Sequence, residues 1–493
     1  MLFGQKKSIV LVLLVFFIFG LVIIIITPVF DAPDQLAHFA YILFFVKYNK
    51  IPKYIEWGKE TENYIDIYYP NVRENKFLFI LDNNYSFAYS GRKSVTYNSL
   101  AHHPPLYYFI SSILIKKFTK LDKLEKLQVG NSTLNKYVPK YKINEENKEV
   151  YVYSVGFKAI NSLFLPAYLL KFIQLIFGIF IVYFILKILK LLLIDDFNDY
   201  DIFMSSFICL LPSFIFTCTY INNDVLSILL GIISIYFLLL YAQQNRFIFF
   251  MISFILSVLS FMTKSYGIFL ILIDIIYFIY KIIIKKKKIV IFISLISFLI
   301  VLVISLILII YFFSSGVTAN YLKNFITKSI VTTFKDFRIL FTKDFFLGFI
   351  PKILLNTIAF FDQSHVIADK FLYYFYYPFI LAGVIIFFKN LKLLKEKLET
   401  FTIIFSIIFL NIIFLLAWAI ASDLTGWGGR FILISFILIN LFTILGYKNL
   451  NIKYYKYFSR IIFILILILN IFNIYQYIYL FYYKDITINY ILY

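Results

Sequence analysis

The chain has 493 residues, of which 62% are hydrophobic and only 15% charged, with a formal charge of +20. A soluble domain of this length has no interior large enough for that apolar content, which excludes soluble classes and points to a chain embedded in a bilayer. The basic balance would suggest nucleic acid on a soluble protein, but here the lysines fall in short loops between apolar runs, where they act as topology signals and contacts to anionic lipid.

In chain order, Lys6 and Lys7 precede an apolar stretch from Ile9 to Ile26. It is longer than a signal-peptide core and no small-x-small cleavage site follows, so it reads as a retained first helix. Apolar runs of about 18 residues or more, each long enough for ~30 Å of hydrocarbon, recur from there to the C-terminus. They predict spans at 8–27, 165–193, 201–219, 224–241, 247–263, 265–283, 289–313, 371–388, 401–421, 431–446 and 460–482, eleven in all. The segment from His102 to Phe118 is also apolar, and counting it gives twelve.

Charge separates the two counts. With eleven spans and the N-terminus inside, Lys187, Lys190, Arg246, the lysine run 285–288, Lys397, Lys448 and Arg460 all fall on one side. The short loops opposite then hold almost nothing basic but Lys264 and Arg430. A twelfth span would put the lysine run outside, against the positive-inside bias. The segment from His103 to Ile115 is therefore expected to lie along the outer interface. The expected fold is one all-α membrane domain over 1–493, with outer loops at 28–164, carrying juxtamembrane helices, and at 314–370. Cys209 and Cys218, nine residues apart in one apolar run, would stand about 13 Å apart on a helix and cannot pair.

Five stretches carry residues suited to chemistry. D-A-P-D-Q-L-A-H-F begins at Asp31, just past the first span. If a helix starts near Pro33, Asp34 and His38 are four apart and share a face. The plain alternative makes Asp31 an N-cap with Asp34 in the first turn, and the two readings are compatible. H-H-P-P-L-Y-Y follows at His102, where the prolines fix the start of a short helix behind two histidines whose spacing does not suit zinc. Y-I-N-N-D, Tyr220 to Asp224, is a tight turn ending in an acid, and as a turn it is ordinary. Lys264 is a lone base on the outer side, which a snorkelling lysine would also explain. G-W-G-G-R-F, Gly426 to Phe431, offers close backbone approach and, in Arg430, either a fork for phosphate or an interfacial anchor. Two further acids, Asp274 in mid-span and Asp362 near His365 in the second outer loop, are less readable; Asp274 is expected to point inward.

The sequence resembles bacterial membrane glycosyltransferases of the GT-C class, the group that includes protein O-mannosyltransferases and lipid A aminoarabinose transferases. The resemblance rests on Pro33-Asp34-Gln35 with His38-Phe39, His103-Pro104-Pro105-Leu106-Tyr107-Tyr108, Asn222-Asn223-Asp224 and Gly429-Arg430-Phe431, in that order along most of the chain. Gln35 stands where the family usually has Glu, and Gly428 where Gln often precedes the late Gly-Arg. The resemblance implies an enzyme that moves a hexose or pentose from a polyprenyl-phosphate carrier to a glycan, lipid or protein acceptor on the outer face of a bacterial plasma membrane. In that reading Asp34, with Asp31 as runner-up, is the catalytic base. Arg430 and Lys264 neutralise the departing phosphate, while Asp224, His103 and His38 shape the pocket. Some members of the class use a divalent metal, and Asp31, Asp34 and Asp224 are the acids that would hold one. The alternatives are a lipid or polysaccharide transporter, a flippase or a polymerase. An inactive scaffold is a further alternative, left open by Gln35.

Overall fold

A computed structural model describes residues 4–27, 34–52, 78–81, 86–89, 96–98, 103–121, 165–193, 196–284, 342, 344–345, 350–358, 360–361, 366–367, 370–389, 397–421, 432–450 and 452–475. The protein is a polytopic helical membrane protein. Among the described residues, six helices are long and apolar enough to cross a bilayer: α1 (Gln5–Ile26), α4 (Leu165–Leu193), α7 (Asp224–Gln244), α11 (Lys370–Lys389), α12 (Leu398–Ala421) and α14 (Ile452–Asn473). The 22 residues of α1 rise about 33 Å, a full hydrocarbon thickness. Its exposed apolar side chains are Val10, Leu14, Ile18 and Val22, an i, i+4 stripe facing outward, and on α14 Ile461, Ile464, Ile468 and Ile471 make a similar stripe at i, i+3/i+4 spacing. Apolar stripes on the outside are what a lipid solvent calls for.

Shorter helices complete the bundle. These are α5 (Asp199–Cys209), α6 (Pro212–Thr217), α8 (Phe247–Thr263), α9 (Ile268–Ile284) and α13 (Leu433–Lys448). The start of α5 is written locally: Asn198 accepts from Tyr200 N at 2.9 Å while Asp201 accepts from Asn198 N at 2.8 Å, a reciprocal cap. The stretch 201–219, expected as one span, is in fact two helices that break at Leu210–Leu211. Pro212 has no N–H to continue the ladder and takes the first turn of α6 instead. The Leu210 carbonyl, left without a ladder partner by the break, is met by Asn470 Nδ2 from α14 at 2.8 Å. The helix expected at 460–482 begins earlier, at Ile452. The span expected at 289–313 lies outside the described residues.

Helix pairs approach closely where side chains are small. A Cβ on Gly446 of α13 would sit 1.9 Å from the Gly383 carbonyl of α11, so the two backbones touch through glycine alone. Between α7 and α8 the contact is a serine seam. Ser234 Oγ lies 3.0 Å from Ser253 Oγ and 2.8 Å from Ser257 Oγ, and Ser227 Oγ lies 3.0 Å from Ser260 Oγ. Asp274 of α9 accepts from Ser253 and Ser257 at 2.9 and 2.6 Å and is 1% exposed, so it does point inward.

The first long loop adds two helices and a sheet. α2 (Gln35–Tyr48) is buried along nearly its whole length. It packs on one side against α3 (Leu106–Ile115) and on the other against an antiparallel sheet of β1 (Leu78–Leu81), β2 (Ser86–Tyr89) and β3 (Thr96–Asn98). Composition and periodicity do not announce these strands. α3, at ten residues, rises about 15 Å and is too short to cross. It buries Tyr107, Tyr108, Ser111 and Ser112 against the bundle and leaves Ile113 and Leu114 exposed, as is Phe118 in the turn that follows, an arrangement suited to an interface. A short helix, α10 (Ile350–Ile358), and the pair β4 (Phe360–Phe361) and β5 (Val366–Ile367) belong to the second expected outer loop.

Candidate functional site

Contacts among helix ends sort the bundle into two poles. At the first, Gln5 at the start of α1 donates to Phe197 O at 2.7 Å, Lys397 donates to Leu192 O, and Lys448 reaches Asp201 at 2.9 Å. Lys281 at the end of α9 pairs with Glu399 at the start of α12. This is the lysine-rich pole. The opposite pole gathers the end of α1, the starts of α2, α3, α4 and α7, and the end of α8.

At this second pole α2 starts at Gln35. Asp34 takes the N-cap position with φ 56°, a left-handed conformation that an Asp tolerates but a branched residue would not. Its side chain makes no capping hydrogen bond. The plain reading of Asp34 as a first-turn residue is therefore replaced: it stands one position outside the helix, at the N-cap. The one-turn spacing to His38 is realised, since His38 N bonds to Asp34 O at 3.0 Å.

His38 is 2% exposed and shares a hydrogen bond of 2.9 Å between Nδ1 and Tyr108 Oη, the donor being set by the imidazole tautomer. His103 stacks on His38 with ring centroids 6.1 Å apart, and Tyr41 stacks on Tyr108 at 3.8 Å. Histidines from two motifs, 65 positions apart in the chain, are thus joined through the two prolines that start α3. Burial pushes the Tyr108 phenol well above its ordinary pKa, and the charges of Tyr41, Tyr107, Asp224 and Asp34 add to the rise. The phenol accordingly keeps its proton.

The N-N-D turn closes the other side. Asn222 caps its own turn, accepting from Val225 N at 3.0 Å and donating to Thr217 O at 2.9 Å. Asn223 Nδ2 ties the start of α7 to Thr263 O at the end of α8, 3.1 Å away. Because α7 and α8 run antiparallel, the first residue of one meets the residue after the last of the other, and Asp224 forms an ion pair with Lys264. Asp224 is fully buried and Lys264 is 4% exposed. A lysine already joined to a buried carboxylate has less charge to offer a phosphate, so the snorkelling explanation fails and the phosphate role weakens.

Gln174 on α4 is a residue the sequence reading missed. Its Nε2 donates to Tyr107 Oη at 2.7 Å and also to the Asn222 carbonyl, bridging the second and third motifs. Lys171, one turn earlier and 1% exposed, donates to Thr27 O at 3.3 Å at the end of α1. The available signal was two polar residues three apart in a 29-residue apolar helix, rare enough in a span to mark function or a helix contact.

The structure therefore brings together Asp34, His38, His103, Asp224 and Lys264. Asp31, His102, Arg430, Asp362 and His365 lie outside the described residues. The acids named for a metal do not make a donor set among the described residues: Asp224 faces an ammonium, and no group of three His, Cys, Asp or Glu side chains converges. No protein-family model and no curated protein matches the chain.

Proposed function

We propose that the protein is a membrane glycosyltransferase, acting at the outer face of a bacterial plasma membrane on a sugar carried by a polyprenyl phosphate. The observation that carries the reading is the joining of three separated motifs: Asp34 lies one turn before His38, His38 bonds Tyr108 and stacks on His103, and Gln174 links Tyr107 to Asn222 in the turn that ends at Asp224. Dry, charged side chains at one end of a membrane bundle are costly and are retained where they are used.

The proposed topology has eleven crossings with the lysine-rich pole inside. α1, α4, the broken pair α5–α6, α7, α8, α9, α11, α12, α13 and α14 make ten alternating passes between the poles. An eleventh is assigned to 289–313, because α9 ends at the lysine-rich pole and α10 packs by α6 at the other. The positive-inside bias then puts the site outside.

In the reaction, Asp34 takes the proton of an acceptor hydroxyl held within about 3 Å. The resulting oxygen attacks the anomeric carbon, the bond from that carbon to the phosphate oxygen breaks, and the polyprenyl phosphate leaves with inversion. Arg430 presents its planar fork to the leaving phosphate. Asp224 and Lys264 form a neutral wall, and His38 and His103 fix the imidazole–tyrosine stack behind Asp34. No step runs through a metal.

A transporter is the second reading, and the break at Leu210–Leu211 favours it, since interrupted helices often mark transport sites. That break, however, is lined by the buried apolar residues Leu210, Leu211 and Phe214 and is closed by Asn470.

The test compares Asp34→Asn with Asp31→Asn in membranes of equal protein content, measuring sugar transfer from a polyprenyl-phosphate donor. Asp34→Asn should lose about 10²-fold or more while folding normally. Asp31→Asn should cost less. A dead Asp31→Asn beside a live Asp34→Asn moves the base to Asp31. A parent that transfers nothing from any such donor returns the question to transport or scaffolding.

A further inference from the structure

The face of α2 that carries His38 holds two more polar side chains that the reaction above does not use. Gln35, His38 and Tyr41 form an i, i+3, i+6 row, and the last two both lie on Tyr108. Gln35 continues the row towards Asp34, its chain neighbour. Its side chain is fully buried, yet among the described residues neither Nε2 nor Oε1 meets a hydrogen-bond partner. The Tyr41 hydroxyl, fully buried as well, is in the same state.

This is not how the neighbourhood treats its other amides. Asn222 uses both ends of its carboxamide, and Gln174 and Asn223 each use the nitrogen while their oxygens meet no partner among the described residues, so of these four amides Gln35 is the one with neither atom paired. Burying a primary amide with both atoms unpaired is costly, and native interiors pair such groups unless they wait for something. A Met or Leu would fill the same volume at no such cost. What the amide offers is one acceptor beside two donors, without charge. That is the complement of adjacent hydroxyls, each of which both donates and accepts, and it is a poor match to a cation or to a bare phosphate.

We propose that Gln35 is a sugar-binding residue, its Nε2 donating to one hydroxyl and its Oε1 accepting from the neighbouring hydroxyl of a sugar ring seated beside Asp34. The inference rests on the glycosyltransferase reading and deepens it. Adjacent hydroxyls occur on the carrier-linked sugar and on a glycan acceptor alike. Tyr41, two positions along the row, supplies a third polar contact once the ring is in place.

The test uses the full chain purified in detergent micelles, with Gln35→Met and Gln35→Leu, which keep the volume and remove the polar atoms. Without ligand, at least one variant should melt above the parent, because an unpaired amide has been removed; both melting below it would show that the amide is paired and would overturn the proposal. The probes are decaprenyl phosphate, decaprenyl-phosphoryl mannose, decaprenyl-phosphoryl arabinose and methyl mannoside. A sugar-linked carrier should stabilise the parent more than decaprenyl phosphate does, and that excess should vanish in the variants, placing Gln35 on the donor sugar. An excess that survives in the variants, alongside a methyl mannoside shift confined to the parent, places Gln35 on the acceptor instead. Sugar-dependent shifts of equal size in parent and variants overturn the proposal and leave the transferase reading standing. A parent that no sugar-bearing probe shifts sinks both.

Discussion

At the pole where α1 begins, Lys448, with 16% of its side chain exposed, holds a buried Asp201 at 2.9 Å, and a nearly buried Lys281 holds Glu399, which is 36% exposed. At the opposite pole Lys264 holds Asp224 with 5% and 0% of the side chains exposed. The contacts have the same chemistry and different settings. Ion pairs at the first pole tie helix starts to helix ends, and each keeps one partner, Lys448 or Glu399, within reach of water. Asp201 has a second partner besides, Tyr455 Oη at 2.9 Å. The ion pair at the second pole is dry, and around it stand the His38–Tyr108 contact, the His103 stack and the unpaired Gln35 amide. One pole uses charge to orient and stitch a membrane bundle. The other keeps charge out of water, the setting that the proposed proton acceptor and neutral pocket wall call for.

Substitutions should separate the poles by size of effect. Lys264→Met leaves the Asp224 carboxylate buried without its ammonium, which should cost about 3–5 kcal/mol of stability. Thermal unfolding in detergent would show this as a large fall in melting temperature, and the double variant Lys264→Met with Asp224→Leu should recover most of it. Little loss in the single variant would mean that the pair is not desolvated.

Arg430 comes next. Arg430→Lys keeps the charge and loses the bidentate fork, so transfer should fall by about tenfold or more. Arg430→Ala should weaken binding of the lipid-phosphate donor more than that of the acceptor. Parent-like donor binding by Arg430→Ala would remove its phosphate role.

The smallest effect belongs to the lysine-rich pole. Lys448→Met removes one partner of Asp201 but leaves Tyr455 and the Asn198 backbone, so it should cost only about 1 kcal/mol and leave transfer unchanged. A loss as large as that of Lys264→Met would erase the contrast between the poles.

Much of this was legible in the sequence, for identifiable reasons. Apolar runs fixed most helices because lipid demands length, and lysine counting fixed the poles because loops carry the bias. The one-turn relation of Asp34 and His38 followed from helical periodicity. The Asp224–Lys264 pair was within reach too: 40 residues apart, they stand at the two open ends of an antiparallel hairpin. The break at Leu210–Leu211 was signalled by Pro212 and was read through, since hydropathy averages over a single proline. Gln174 and the unpaired state of Gln35 could not be read, because both depend on which helices pack together. The strands at 78–98 gave no alternating pattern strong enough to stand out in a polar loop.

The account stands on the poles facing opposite sides of the membrane, and labelling single cysteines in intact cells tests that directly. In a background with Cys209→Ala and Cys218→Ala, both buried in the parent, Lys286→Cys and Leu393→Cys report the lysine-rich pole and Lys117→Cys, on the exposed turn after α3, reports the other. A membrane-impermeant maleimide should label position 117 from outside and leave 286 and 393 untouched until the cells are opened. Ready labelling of 286 or 393 from outside, with 117 protected, would invert the molecule and take the proposed outer-face chemistry with it.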